Sequence, residues 1–197
     1  LSYYLFMCLS IPIFLEIETI LYVWLGQIPE HTVLFTRLVL VLSLAEIISN
    51  ALITAQNATG KIRNYQIVVG GTLLMNFPVS YILLRMGCIP ETTIIVAIII
   101  SQICLYERLL FLRKTVLLPS MKFLFKVYLN VIIVTILSAI IPALLYMSIE
   151  NEICRFFSVC ISSVISSGVI IYLIGLDKNE RNIVVQQVRK ISKRFKK

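Results

Sequence analysis

The chain is poor in charge. Asp, Glu, Lys and Arg make up 14% of its 197 residues, and there is one histidine and one tryptophan. A soluble domain carries about 25% charged residues, so a water-facing surface of ordinary extent is excluded. No nucleophile–His–acid order, P-loop, GxGxxG, HExxH or CxxC pattern occurs, and neither enzyme chemistry nor a metal centre or cofactor is expected. The five cysteines (Cys8, Cys88, Cys104, Cys154, Cys160) have no histidine at ligand spacing. Four of them fall in or beside apolar runs, where Cys is a small hydrophobe. A basic leader with a cleavage site is also missing, since Leu1 already stands inside an apolar run. The chain is read as the C-terminal piece of a longer protein.

What is there instead is apolar. Hydrophobic residues make up 59% of the chain, and the mean hydropathy is +0.94. In hydrocarbon the backbone must bond to itself, which leaves helices or a closed barrel. Barrel strands alternate every second residue, whereas these runs are continuous, so the expectation is an all-α integral membrane protein. Six transmembrane helices emerge, near Tyr3–Leu25, Val33–Ala55, Tyr65–Met86, Thr92–Leu112, Phe123–Met147 and Phe156–Leu176, each close to the ~20 residues that a bilayer core requires. Residues 1–176 form the bundle, and 177–197 a basic tail.

Charge orients the layout. The Gln56–Asn64 turn carries Lys61 and Arg63, the junction after the fourth span carries Arg108, Arg113, Lys114, Lys122 and Lys126, and the tail carries eight more, so one side holds fifteen of the eighteen basic residues. Cationic residues are retained in the cytoplasm, which places both ends of this chain there. The tail spaces Val184, Val188, Ile191 and Phe195 as one apolar stripe among basic residues. An amphipathic helix on anionic lipid accounts for that better than nucleic acid does.

Pro12, Pro78 and Pro142 lie inside spans and should kink them, each freeing a carbonyl four residues earlier. Ser158, Ser162 and Ser166, with Ser163 and Ser167, repeat every four residues in the last span, a spacing for close helix packing. His31 stands alone in an outer turn and is expected to be solvated. Glu16 and Glu18 point about 200° apart on a helix, one toward a cavity and one toward the interface.

The second span is the informative one. Thr36, Ser43, Glu46, Asn50, Thr54 and Asn57 share one helical stripe. A carboxylate in mid-span costs roughly 2.5–3.5 kcal/mol on insertion scales, so Glu46 should face protein or a wet cavity. Either an interhelical contact or a site exchanging a proton or ion would satisfy it. Ser43, Glu46, Asn50, Thr54 and Asn76 are the candidate cavity residues, and Arg37 and Arg85, near span ends, the candidate phosphate contacts. No basic residue is expected deep in a span.

The segments PIFLEIETILYVWLGQIPEHT, ITAQNATGKIRNYQIVVGG and LLMNFPVSYILLRMGCIPE resemble bacterial polysaccharide (O-antigen and capsule) flippases of the MOP, MATE-like superfamily. The similar pattern covers Pro12–Glu91: a proline-bearing span ending in WLG-x-x-P, an A-T-G-K-I-x-x-Y-Q turn, then N-x-P-x-S-Y. The resemblance implies two helical lobes rocking around a cavity, with these six spans as the final ones. It implies export of undecaprenyl-diphosphate-linked oligosaccharide across the bacterial inner membrane by alternating access, with the missing N-terminal lobe as partner and a proton or sodium ion as possible coupling species. A MATE-type drug or cation antiporter is the rival within transport, and a membrane scaffold subunit the rival outside it.

Overall fold

Every apolar run among the described residues folds as helix. The structure, a computed structural model, describes residues 2–116 and 127–175. These form α1 Ser2–Leu15, α2 Ile17–Leu25, α3 Thr32–Ala58, α4 Arg63–Leu74, α5 Asn76–Arg85, α6 Thr92–Val116, α7 Leu129–Ser148 and α8 Glu152–Ile170, which runs into a π-helical turn at Ile171–Gly175. No strand occurs among the described residues. Five helical stretches are long and apolar enough to cross a bilayer, and the bent α1–α2 pair makes a sixth if it is one span. The start of the expected fifth span, with Pro119, Lys122 and Lys126, and the basic tail lie outside the described residues.

The first span is not one straight helix. α1 and α2 meet at Glu16 with a bend of 74°, four residues after Pro12. Pro12 lies within α1, and its missing N–H removes a rung just before the break. Pro78 acts differently. The chain breaks at Met75 instead, so Pro78 stands in the first turn of α5, where a donor is dispensable. α4 and α5 together still count as one 23-residue span, Arg63–Arg85.

The basic turn is shorter than its polar composition suggests. α3 continues to Ala58 and carries the fully buried Gln56 inward. Gln56 Nε2 donates to the Lys61 carbonyl at 3.0 Å, while the Thr59 hydroxyl donates to the Gln56 carbonyl at 2.7 Å. Gly60 takes φ +71°, the left-handed backbone that a side chain disfavours. The turn is tied to itself rather than left to solvent.

Contacts gather the chain into two units, Leu1–Tyr128 and Leu129–Lys197. In the first, α6 is the hub on which α3, α4 and α5 all pack. Its Leu105, Leu109 and Leu112 meet Leu52 of α3, and its Val96, Ile100 and Cys104 meet Tyr65 and Val69 of α4. Leu5, Leu9, Ile67, Leu74, Phe77, Ile99 and Ile103 stay exposed, as lipid-facing side chains do. Lipid tails are as apolar as Leu, so close packing rather than hydrophobic transfer holds such faces together.

In the second unit α7 buries Val131, Val134, Ser138 and Pro142 at steps of three, four and four, against Val159, Ser163, Ser166 and Ser167 of α8. The serine stripe is therefore a packing face, as its spacing suggests. Pro142 leaves α7 unbroken. Having no N–H, it frees the Ser138 carbonyl, and the Ser166 hydroxyl donates to that oxygen at 3.1 Å. Ser166→Ala is expected to lower stability by about 1 kcal/mol. The same change in a Pro142→Ala background, where the backbone donor returns, should be nearly neutral. Unfolding free energies in detergent for the four proteins decide this, and an equal penalty in both backgrounds rejects it.

Candidate functional site

α3 presents two unlike faces. Ser49, Leu52 and Gln56 are buried, on the side that meets α6. Glu46, Asn50, Thr54 and Asn57 are exposed, with Ser43 and Thr36 half-buried. At ~100° per residue the polar stripe lies about 130° around the helix from the buried one. Glu46 sits near the middle of a 27-residue helix long and apolar enough to cross a bilayer. The Thr54 hydroxyl is turned back to the Asn50 carbonyl at 2.9 Å, and that of Thr36 to Thr32 at 2.8 Å, a common way for Thr to satisfy itself in a helix. The stripe is a row of polar groups on a face that its own unit leaves open.

The other candidates stand apart from it. Asn76 opens α5, which packs on α6, and its Oδ1 accepts from the Ser80 hydroxyl at 3.2 Å. Arg85 is exposed in the last turn of α5, a favourable place for a cation. Arg37 is engaged within the protein. Its Nε donates to the Phe14 carbonyl at 3.2 Å and its Nη2 to Glu18 at 3.3 Å, with the guanidinium over the Phe14 ring. It thus braces the open end of α1, where carbonyls lack helical partners, against α3.

Glu16 and Glu18 have different surroundings, though not by helix geometry, because Glu16 lies at the break between α1 and α2. Glu18 is exposed and pairs with Arg37. Glu16 is 1% exposed at the break, where the Thr19 hydroxyl donates to its Oε2 at 2.7 Å. A buried carboxyl at the joint of a broken span was legible as residues, but its burial was not.

Two expectations fail. His31 is not solitary: its Nδ1 bonds Glu91 Oε1, sixty residues on, and Glu91 is 1% exposed. The two residues precede α3 and α6, the helices with the most extensive contact in this unit, and His31 takes a left-handed φ of 68°. Arg108, counted with the basic residues of the junction after the fourth span, is enclosed instead. Arg108 lies inside α6 at 8% exposure, with Nε donating to the Tyr65 hydroxyl of α4 at 3.3 Å. Counting it with the junction charges treated it as a residue of the water boundary. One turn of α6 alone cannot reveal that α4 covers it.

Around Arg108 the α4–α6 contact is polar. The Thr72 hydroxyl of α4 donates to Glu107 at 2.8 Å, while elsewhere on α6 Gln102 accepts from the hydroxyl of Tyr128, the residue before α7, at 2.6 Å. Tyr65 meets Phe111 edge-on, with ring centroids 5.9 Å apart. In the second unit a groove of about 260 Å³ lies along Ser162, Ser166 and their Ile and Val neighbours, too apolar for a sugar. No cluster of three metal-ligating side chains occurs among the described residues, and no disulfide joins their cysteines.

No family model, curated protein or solved structure matches the chain. The class therefore rests on the fold: a multi-pass helical membrane protein.

Proposed function

We propose that this chain is the C-terminal part of a bacterial flippase exporting undecaprenyl-diphosphate-linked oligosaccharide, with the Ser43–Glu46–Asn50–Thr54 face of α3 as part of the substrate path. The observation that carries the reading is Glu46, a carboxylate exposed at mid-span beside hydroxyl and amide groups. Hydrocarbon does not tolerate such a row at low cost, so it faces water, substrate or a further helix lobe. A hydroxyl-rich sugar suits groups that both donate and accept. The likeness of the WLG-x-x-P, A-T-G-K-I-x-x-Y-Q and N-x-P-x-S-Y segments to polysaccharide flippases supports the same reading. The buried Glu16 at a 74° break adds a second carboxylate suited to ion coupling, because discontinuous helices are where transporters bind ions.

Glu46→Gln tests it. In cells carrying the complete transporter, surface polysaccharide is expected to fall at least about tenfold, equivalent to ~1.4 kcal/mol on the rate-limiting step, with membrane protein levels unchanged. Wild-type export by the variant removes Glu46 from the mechanism. Efflux of a cationic dye, with normal polysaccharide in a strain lacking the protein, selects the antiporter instead.

A further inference from the structure

We propose that α2 does not cross the membrane but lies in the plane of its interface, an anchor in the phospholipid headgroup layer that is independent of the substrate path. α2 turns 74° away from α1. Its nine residues, ~13 Å of helix, therefore advance only about 4 Å along the axis of α1. Both of its ends are held at one level. At the start Glu18, 55% exposed, pairs with Arg37 of α3, and an open ion pair belongs among headgroups rather than acyl chains. At the end the turn 26–31 exposes Gln27, Glu30 and His31 and leads directly into α3, on which α2 packs. With 27 residues, α3 is ~40 Å long against a ~30 Å hydrocarbon core, which leaves a turn or more for the headgroups.

The side chains fit that depth. At about 100° per residue, Glu18 and Tyr22 share one side of α2, while Ile20, Val23 and Trp24 lie on the other, beside the buried Ile17 and Leu21. Tyr22, Val23 and Trp24 are 62%, 80% and 79% exposed. An indole this open suits the interface, where its ring meets acyl chains and its N–H meets water. Leu5, Leu9 and Ile13, at steps of four on α1, are exposed as well, so a lipid-facing surface leads up to the bend. A short two-sided helix at that level is held by the apolar area it sinks into the acyl boundary.

Trp24 is the one tryptophan of the chain, so its fluorescence reports its depth directly. The whole chain is reconstituted in phosphatidylcholine vesicles brominated at defined acyl carbons, and the depth of the indole is read from the quenching. Trp24 is expected ~15 Å from the bilayer centre, at the edge of the hydrocarbon core. Leu9→Trp, Ile13→Trp and Ile20→Trp, each combined with Trp24→Phe, give the direction of the two helices. Indoles at 9 and 13 should differ in depth by about 6 Å, and those at 20 and 24 by less than about 2 Å. Should Ile20→Trp not fold, Glu18→Trp and Tyr22→Trp, at exposed positions, give the same comparison. A shift along α2 as large as that along α1 means that α2 continues the crossing and overturns the proposal. So does a Trp24 that no brominated lipid quenches, which marks a surface covered by protein or standing in water, or one quenched most by bromine near the chain ends.

Discussion

Leu in place of Ser163 together with Leu in place of Ser167 is expected to separate α7 from α8. Both serines are 0% exposed against α7. Each substitution adds carbon atoms to a contact that has no room for them, and overpacking of a close-packed core costs about 1–3 kcal/mol per site. Both changes also make the helix more apolar, so insertion into the bilayer should improve rather than suffer. The two influences therefore have opposite signs. An account based on hydropathy alone expects an unchanged or stabler protein, whereas the packing account expects a loss of about 3 kcal/mol or more for the pair. Thermal unfolding in detergent, with membrane insertion scored separately, distinguishes them. A doubly substituted protein as stable as wild type would show that α7 and α8 are not held by their small residues.

The second large effect concerns His31 and Glu91. Glu91 is 1% exposed, and its Oε2 has no protein partner among the described residues. The imidazole of His31 is thus the main polar group facing a carboxylate withdrawn from water. Removing one member of a buried pair leaves the other uncompensated, at about 3–5 kcal/mol when both are enclosed. His31 is 48% exposed, and solvent reduces the effect to about 1–3 kcal/mol for His31→Ala. Glu91→Gln, which keeps the shape and an acceptor, is expected to cost less. His31→Ala combined with Glu91→Ala should cost less than the two single changes added together. Strict additivity in the unfolding free energies would mean that the contact carries no energy. Because the pair ties the N-terminal ends of α3 and α6, its loss should first appear as faster hydrogen exchange there.

How much of this was legible depends on which residues interact locally. The helical spans follow from the runs themselves, since residues such as Ile94–Ile100 allow no other backbone in hydrocarbon. The α3 stripe was equally legible, because positions 43, 46, 50, 54 and 57 are fixed relative to one another by helix geometry alone. The serine repeat of α8 announced a packing face for the same reason. Arg108 and His31 were misread because their partners are distant in the chain, Tyr65 forty-three residues away and Glu91 sixty. Glu16 lay between these cases. A direction opposite Glu18 could be computed for one unbroken helix, but the burial of Glu16 depends on a 74° break that Pro12 foreshadows without locating. Gln56 looked like the first residue of a polar turn, yet it is the buried amide that ties the turn together.

The sequence by itself determined the solvent, the secondary structure and the faces of each helix, because those follow from composition and from a period of 3.6 residues. Only the tertiary structure decided which helix is central, which carboxylate is enclosed and which proline carbonyl is answered by a serine. Those outcomes rest on contacts between residues far apart in the chain. No local pattern encodes them, because in lipid the association of helices is set by the fit of two surfaces and not by the apolar character of either.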